Sequence, residues 1–483
     1  MHPERPSPVV AQPDLSEQEF RAALLRVAEW VLDYRARAVA LPVLARVRPG
    51  DVLSKLPPEP PAQPEPLERW LHDLDEIILP GITHWNHPGF LAYFPTSSSA
   101  PGVLGELIAA ALNANGMLWQ TSPAATELEQ LVLRWYARAL GLPADWFGIL
   151  TDTASTSTLM ALAAARDSAG LPTREQGLAG QPPLVLYCSE EAHSSVEKAA
   201  LVLGLGHRGV RRIPTDAEFR LRPDALEAAI REDFSAGRKP FAVVATVGTT
   251  SATAVDPVPE IAEICQRHGL WLHVDAAYAG SAAVAPEFRW ALAGCERADS
   301  FVANPHKWLF TTMDCSALFT RRPAAFRHSF SLVPEYLRTD AEGAVDLMNY
   351  TFQLGRRFRA LKLWFVFRGF GTEGIAARIR AHARLAREFA AWVDAHPQLE
   401  RLAPVHFSVV CFRVHPEAVD DEAALEKLNA AVLEQVNATG KVFLSHTRLR
   451  GCYCLRLAIG NLGTSREQIR TAFELVCRAA GLC

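Results

Sequence analysis

The clearest chemical signal in the sequence is a lysine and an aspartate, each at the end of an apolar run or just after one. Lys307 lies in the stretch Asn-Pro-His-Lys-Trp-Leu that starts at Asn304, and Asp275 ends the apolar run that starts at Leu270. Such an amine can form a Schiff base with the aldehyde of pyridoxal phosphate, and the carboxylate can keep the pyridine nitrogen protonated so that the ring accepts electrons. A lone lysine after a strand is most often a solvated charge, but the pair together predicts pyridoxal phosphate chemistry.

Two polar residues follow other apolar runs. His193 comes after the run at 184–188, where its imidazole could stack on a planar ring, although Ser194 and Ser195 also make the segment a good helix start. Thr250 follows the run at 241–245 and supplies a hydroxyl there, with a purely structural turn as the alternative.

An anion anchor is also present in the sequence. Residues 151–158 read Thr-Asp-Thr-Ala-Ser-Thr-Ser-Thr and precede a helical pattern that starts at Leu159. Hydroxyls and free N–H groups at a helix start can hold a phosphate, although such starts are usually plain caps. Residues 204–209 spell G-x-G-x-x-G, but they follow a helical pattern and precede a strand, which is the reverse of a dinucleotide fingerprint.

The amino-acid composition limits the classes of function that this protein could have. With 483 residues, 49% of them hydrophobic, the chain can bury more than one core. The 49 basic and 53 acidic residues give a net charge of -4 without any basic tract, which argues against a nucleic-acid partner.

The cysteines and histidines favour neither disulfides nor a metal. The nine cysteines are scattered without a C-x-x-C pair, as expected of small buried side chains in a reducing compartment. His84 and His87 are three residues apart, but Pro88 follows directly and no third ligand is indicated, so we predict no metal site.

No membrane segment is predicted. The first residues lack the order of a secretory signal, and the apolar stretch 100–112 contains Glu106 and is too short to cross a bilayer. We therefore expect a cytoplasmic protein with no membrane partner.

The chain is organised around a central alternation of helices and strands. A helical pattern at 14–47, whose apolar face has little local core to cover it, predicts packing on a partner subunit, and a proline-rich connector follows at 57–66. Between about 125 and 320, helices alternate with apolar strands, the rhythm of a mostly parallel sheet. We expect strands at 184–188, 210–213, 241–247, 270–275, 300–303 and 316–320.

The predicted strands bring the candidate residues to one edge. His193, Thr250, Asp275 and Lys307 all come just beyond strand carboxyl ends, where ligands bind in open α/β sheets. A smaller α+β domain is expected after residue 380, with strands at 405–414, 442–444 and 453–459. The predicted division is an N-terminal helical dimerisation segment at 1–95, a large coenzyme-binding domain at 96–380 and a small C-terminal domain at 381–483.

With these motifs assembled, the sequence resembles the pyridoxal-phosphate-dependent group II decarboxylases, most closely the aromatic-L-amino-acid decarboxylases. The resemblance covers nearly the whole chain from about residue 14. The motifs that carry it are Thr83–Trp85, Ala92–Thr96, Ser122–Glu129, Glu191–Ser195, Asp275–Gly280, Asn304–Trp308 and Leu354–Phe358. It implies the α/β fold called fold type I, which is aspartate-aminotransferase-like, and a homodimer with active sites shared between subunits.

The resemblance also implies roles for single residues. For the coenzyme, it assigns Ala154, Ser155 and Asn304 to the phosphate, His193 to stacking on the ring, Thr250 to the ring substituents, Asp275 to the pyridine nitrogen and Lys307 to the covalent link. For the substrate, it assigns Trp85, Tyr93, Phe94, Pro95, Thr96, Asn115, Met117 and Gly355, with the positions of Asn115 and Met117 contributed by the partner subunit. His306 would lie beside the reacting carbon, and Tyr336 matches the loop tyrosine that donates a proton.

The implied activity is decarboxylation of an aromatic L-amino acid to its amine and carbon dioxide. The alternatives are an aromatic aldehyde synthase, which typically has phenylalanine at the position of Tyr336, and a coenzyme-binding transcription regulator, which would need an N-terminal DNA-binding module. Asn115 and Met117 depart from the apolar or aromatic residues common in relatives, and Gly89 stands where an aromatic or polar residue is frequent. The choice among DOPA, tryptophan, tyrosine and phenylalanine therefore stays open.

Overall fold

The computed structural model describes residues 14–332 and 343–482, and the chain divides into two compact units, one up to His87 and one from Pro88. The helices of the first unit are α1 (Glu17–Arg37) and α2 (Leu67–Asp73). A capping box starts α1, because the Ser16 side chain accepts the Glu19 N–H and the Glu19 carboxylate accepts the Ser16 N–H. The helix predicted to extend to residue 47 ends at Arg37, since Pro42 cannot continue it.

The apolar side of α1 is uncovered in the described chain. None of its residues is buried, and the side chains of Phe20, Leu25 and Leu32 are 57%, 58% and 67% exposed. The proline-rich segment 57–66 contains neither helix nor strand, as expected from the rigid, N–H-free prolines.

A seven-stranded sheet forms the centre of the second unit. Its order is β1-β7-β6-β5-β4-β2-β3, with β7 antiparallel to β1 and β6 and the other neighbours parallel. The strands are β1 (Phe147–Thr151), β2 (Leu184–Ser189), β3 (Val210–Ile213), β4 (Lys239–Thr246), β5 (Trp271–Asp275), β6 (Ser300–Ala303) and β7 (Ser316–Thr320). The predicted mostly parallel α/β fold is confirmed, although sequence reasoning missed β1, a short run interrupted by Gly148.

Helices cover this sheet because its strands are apolar on both faces, as parallel strands usually are. The helices from Pro88 onward are α3 (Ala100–Leu112), α4 (Pro123–Leu140), α5 (Ala154–Asp167), α6 (Thr173–Gln176), α7 (Ser195–Val202), α8 (Pro223–Ser235), α9 (Val258–His268), α10 (Pro305–Trp308), α11 (Pro323–Phe330), α12 (Arg359–Ala395), α13 (Glu422–Ala438) and α14 (Arg466–Ala479). The predicted boundary at 380 falls inside α12, whose helical path is interrupted earlier, at Gly371.

The second sheet has four antiparallel strands in the order β10-β11-β9-β8. They are β8 (Leu399–Arg401), β9 (Val409–Val414), β10 (Ser445–Leu449) and β11 (Cys452–Ala458). The segment predicted as a strand at 442–444 lies just before β10 and pairs instead with residues 89–91: the Leu91 N–H donates to Phe443 O (2.9 Å) and the Phe443 N–H donates to Gly89 O (2.9 Å). The segment that leads into β10 therefore holds the chain immediately before Tyr93 and Phe94.

In the parts of the chain that the structure describes, no helix combines the length and the apolar character that crossing a membrane requires.

The close approach of α3 to α12 yields a test of the fold. A Cβ at Gly105 would lie 2.6 Å from the Cα of Lys362, so Gly105→Ala must push two backbones apart. We expect a loss of about 1–3 kcal/mol in stability and a lower Tm in calorimetry.

The matched control is Gly374→Ala in α12, where the nearest atom is the flexible Nη1 of Arg378 at 3.2 Å. That variant should be neutral or more stable by up to about 1 kcal/mol. Equal Tm values for the two variants would contradict the close packing of α3 on α12.

Candidate active site

The parallel register brings the predicted residues to one edge of the large sheet. Thr246 on β4 lies opposite Asp275 on β5, and Asp275 lies opposite Val302 on β6. These strands therefore end at the same level. Asn304 and the short helix α10, which carries Lys307, follow β6 directly.

Lys307 lies in an environment that favours a neutral amine. Its Nζ is 5.1 Å from the centre of the Phe94 ring, and it keeps some accessible surface while the other residues of α10 are buried. Burial lowers the pKa of Lys307; the Asp275 carboxylate opposes this shift, and the Arg456 guanidinium adds to it. A lysine with a lowered pKa is a better nucleophile near neutral pH.

Asp275 is 5% exposed and accepts the Ala277 N–H (3.0 Å). His193 stands close enough to both Asp275 and Lys307 for their charges to act on it. Its Nδ1 accepts the Ser195 N–H (3.1 Å) at the start of α7 and pairs with Ser195 Oγ (2.9 Å). A backbone N–H can only donate, so Nδ1 is unprotonated, in agreement with the lowering of the His193 pKa by burial. The residue both supports the helix start and faces the site.

His306 is almost fully buried beside Lys307. Its Nδ1 accepts the Cys315 N–H (3.0 Å), and burial lowers its pKa to about 4, with the Lys307 charge adding to the shift. At neutral pH it is therefore an uncharged ring that carries its proton on Nε2.

The residues predicted to hold a phosphate are near the same edge. Ala154, the first residue of α5, packs against Ala277 and Val302, next to Asp275. Ser155 is exposed at this helix start, and Thr250 is exposed beyond β4. The Oδ1 atom of Asn304 is buried without a hydrogen-bond partner among the described residues. The N–H groups at the start of α5 fit an anionic group such as the phosphate of pyridoxal phosphate, and the unpaired Asn304 Oδ1 is an acceptor that a donor of a bound ligand would satisfy.

Aromatic rings form one wall of the site. Phe94 stacks on Tyr278 with 3.8 Å between ring centres, and Tyr278 stacks on Trp308 at 4.7 Å. Ser408 donates to Ile459 O (2.6 Å), so the Tyr278 hydroxyl donates to Ser408 Oγ and anchors the stack to the residue immediately before β9. The neighbours of Phe94 differ in exposure: Tyr93 is exposed, Pro95 is buried and Thr96 is partly buried.

Asn115, Met117 and Gly355 form a second group. Asn115 Oδ1 accepts the Arg356 N–H (2.9 Å), and its Nδ2 is 4.0 Å from where a Cβ on Gly355 would lie. The Met117 carbonyl accepts the Met348 N–H (3.0 Å). Their contribution to a pocket shared with a partner subunit remains a prediction.

Two predicted site residues lie outside the described part of the second unit. Trp85 belongs to the unit that ends at His87, and Tyr336 lies outside the described residues. The roles given to both remain predictions.

Sequence reasoning missed Arg456 and Tyr278. Arg456 is 3% exposed on β11, and its charge reaches Lys307. One signal could have pointed to it, because it is a single charged residue within the apolar run predicted at 453–459. Tyr278 gave no such signal, since a tyrosine after a strand is ordinary.

Among residues 14–332 and 343–482, no group of three or more His, Cys, Asp and Glu side chains could hold a metal. His84 Nδ1 pairs with the Tyr34 hydroxyl (3.0 Å), and His87 Nε2 donates to the Val39 carbonyl (3.1 Å). The histidine pair singled out by spacing thus has structural partners.

Comparison with known proteins gives consistent matches. The family model described as the pyridoxal-dependent decarboxylase conserved domain matches residues 49–415. Tyrosine decarboxylase 4 of Petroselinum crispum is 41% identical over 476 residues, covering 96% of this chain and 93% of the relative. Phenylacetaldehyde synthase of Arabidopsis thaliana is 41% identical over 478 residues, covering 97% and 96%. The crystal structure of Oryza sativa TDC with PLP and tryptamine has a TM-score of 0.94 at 38% identity, covering 98% of this chain and 99% of that one.

The geometry around Lys307 predicts where the coenzyme attaches. After incubation with pyridoxal phosphate and reduction with borohydride, peptide mass spectrometry should find the pyridoxyl group on Lys307, and Lys307→Ala should lose it. Lys198→Ala, which removes an exposed lysine of α7 whose charge reaches His193, is the control and should keep the adduct. A reduced adduct on another lysine of the wild-type protein would contradict the assignment.

Proposed function

The chain belongs to the pyridoxal-dependent decarboxylase family, and on that premise we propose that it converts an aromatic L-amino acid into the corresponding amine and carbon dioxide. The observation that carries the proposal is the meeting of Lys307, Asp275 and His193 at one sheet edge beside the ring of Phe94.

The residues present fit pyridoxal phosphate. Lys307 would carry it, Asp275 would face its pyridine nitrogen and His193 would stack on its ring. Its phosphate would lie at the start of α5, near Ala154, Ser155 and Asn304, and Thr250 would contact the ring substituents. When bound, the coenzyme supplies a cationic ring that accepts the electron pair of the broken Cα–carboxylate bond.

Asp275 would keep the ring protonated. It lies in a buried environment, where a carboxylate acts more strongly on a neighbouring positive charge than in water. The lowered pKa of Lys307 suits an amine that must be neutral to attack and must later leave in favour of the substrate amine.

Aromatic neighbours favour an aromatic substrate. The Phe94 ring is held on Tyr278 and Trp308 and offers a planar surface near Lys307 for a substrate ring. Tyr93, Pro95 and Thr96 would complete this pocket. Packing of a flat side chain against rings also excludes water from the reacting carbon.

Tyr336 would donate the proton that completes the amine. Loss of carbon dioxide leaves an electron pair at Cα, and a proton delivered to that atom gives the amine. His193 and His306 are the alternative donors, and His306 carries its proton on Nε2.

Aromatic aldehyde synthesis is the second candidate, because Phenylacetaldehyde synthase of Arabidopsis thaliana is as similar as the decarboxylase reported above. That reaction also releases ammonia and consumes oxygen. We favour amine formation because the sequence has Tyr336, where aldehyde synthases typically carry phenylalanine.

A homodimer with shared sites would suit the surface. Besides the bare face of α1, helix α3 exposes a row of apolar side chains, namely Leu104, Leu107, Ile108 and Leu112. Exposed apolar patches of this kind are typical of protein interfaces. A second copy would cover them and would contribute Asn115 and Met117 to the pocket.

We also propose a cytoplasmic location. Seven of the eight cysteines in the described part of the chain are buried, which suits a reducing compartment.

The substrate class is tested by incubating the purified, coenzyme-loaded protein with tryptophan, tyrosine, phenylalanine, DOPA and histidine, while amine, aldehyde and carbon dioxide are measured. We expect amine and carbon dioxide in equal amounts from at least one aromatic amino acid. Activity on histidine alone would overturn the aromatic assignment.

Asp275→Asn should harm chemistry far more than folding, because a neutral partner no longer favours a protonated ring. We expect kcat to fall roughly a thousandfold or more in protein whose coenzyme content is confirmed by absorbance. The control is Asp299→Asn, which alters a buried carboxylate that accepts the Leu272 N–H (2.9 Å) at the opposite end of β5. It should lower Tm with little change in kcat. Near wild-type turnover in coenzyme-loaded Asp275→Asn would refute the role.

In air, Tyr336→Phe should still release carbon dioxide but shift the product from amine to aldehyde. With the proton donor gone, the electron pair left at Cα would reduce oxygen to hydrogen peroxide, and water would then release the aldehyde and ammonia. Amine and aldehyde are quantified per carbon dioxide. Tyr453→Phe, which removes a phenol from the small sheet, should leave the ratio unchanged. An unchanged amine yield in Tyr336→Phe would assign the proton to another group.

A further inference from the structure

Arg456 is a buried cation without a carboxylate partner. It lies on β11, is 3% exposed and forms no ion pair within the described chain. Its Nε donates to Ser251 O (3.1 Å), its Nη1 donates to Tyr93 O, and its Nη2 has no hydrogen-bond partner among the described residues. A buried charge without a counter-charge is costly, so such a residue is better explained by function than by stability.

The guanidinium lies against the proposed substrate wall. Its central carbon is 4.7 Å from the centre of the Phe94 ring, the ring that Lys307 Nζ approaches to 5.1 Å. Cation–π contacts of this kind are strongest where water is excluded. Ser251, which accepts the Nε hydrogen bond, directly follows Thr250, so Arg456 contacts both the turn proposed for the substrate and the turn proposed for the coenzyme.

Tyr93 adopts a conformation that needs support. Its φ is +50°, in the left-handed region that residues other than glycine rarely occupy. Such backbone strain persists only where surrounding contacts hold it, and it is common at ligand sites. Here it sets the direction in which the next residue, Phe94, leaves the chain.

Two residues of the small sheet hold this strained peptide. The Tyr93 N–H donates to Ser445 Oγ (3.3 Å), and the Tyr93 carbonyl accepts from Arg456. Ser445 and Arg456 lie directly opposite each other on β10 and β11. This cross-strand pair therefore hydrogen-bonds to both the backbone N–H and the backbone carbonyl of Tyr93, a residue of the proposed pocket.

We propose that Arg456, together with Ser445, is a positioning residue that holds Tyr93 in its strained conformation and thereby fixes Phe94 as the wall for the aromatic substrate. The inference rests on the proposed function for the identity of the substrate, but the grip on Tyr93 does not depend on it. Without the hydrogen bonds from Arg456 and Ser445, the backbone at Tyr93 would relax and the Phe94 ring would move. It should weaken binding of aromatic ligands more than it slows the chemical step.

The test compares coenzyme-loaded wild type with Arg456→Gln, Arg456→Lys, Ser445→Ala and the double variant Arg456→Gln/Ser445→Ala. Calorimetric titration with tryptamine gives a dissociation constant, and steady-state assays give KM and kcat for the best aromatic amino acid. Arg456→Gln should raise both the dissociation constant and KM about tenfold or more and lower kcat by a smaller factor. Arg456→Lys keeps the charge but loses the fork of donors, so its effect should be intermediate.

The double variant shows whether Arg456 and Ser445 act together through Tyr93 or independently of each other. If both residues act through Tyr93, the increase in the dissociation constant should be smaller than the product of the two single increases. Amide hydrogen exchange at Tyr93 and Phe94 should be faster in each single variant, because the hydrogen bonds that hold the turn are lost.

Arg413→Gln is the matched control. Arg413 is also a buried arginine of the small sheet, but it pairs with the carboxylates of Glu400 (2.7 Å) and Glu422 (2.9 Å). This variant should lower Tm while leaving the tryptamine dissociation constant and KM within about twofold of wild type.

The proposal fails if Arg456→Gln and Ser445→Ala keep wild-type dissociation constants and exchange rates, or if their effects multiply independently. If Arg456→Gln does not fold, Ser445→Ala and Arg456→Lys decide by the same measurements. If the wild-type protein acts on no aromatic amino acid, the proposed function is wrong. Hydrogen exchange at Tyr93 would still decide whether the grip exists.

Discussion

The shared carboxyl edge of β4, β5 and β6 is the constraint on which the site depends. Parallel pairing in register places Thr246, Asp275 and Val302 at one level, so the residues that follow these strands must lie close together. Lys307 and Asp275 thus approach each other through backbone hydrogen bonding between strands, without any direct attraction being needed to bring them together. The covering helices in turn follow from the apolar faces of those strands.

Burial sets the chemistry of this edge. It lowers the pKa values of Lys307, His193 and His306, so the amine is more reactive, and His306, with a pKa of about 4, is uncharged at neutral pH. The same low polarity strengthens the influence of Asp275 and Arg456 on the amine, in opposite directions. The buried Asp275 carboxylate raises the pKa of Lys307, and the buried Arg456 guanidinium lowers it.

The small sheet does more than close the C-terminal part of the fold. Its strands β10 and β11 hold Tyr93, Ser408 anchors the Tyr278 hydroxyl, and Phe443 pairs with the chain before the pocket turn. The large sheet therefore presents the groups proposed for the coenzyme, and the small sheet fixes the aromatic wall proposed for the substrate. In the proposed arrangement, sequence changes in the small sheet would alter substrate preference without touching Lys307 or Asp275.

The strands of the proposed coenzyme edge and the residues that follow them could be predicted from the sequence alone, because an apolar run and its polar end are local features. It therefore predicted Lys307, Asp275 and His193 as neighbours, and the parallel α/β fold, before any contact was known. Local pattern was insufficient for β1, whose short run contains Gly148 and which pairs antiparallel with β7 at the sheet edge. The hydrogen bonds from Arg456 and Ser445 to the strained Tyr93 became visible in the folded chain alone, since these partners are more than 350 residues from it in the sequence. Such contacts depend on how separate sheets pack, and no periodicity along the chain encodes that distance.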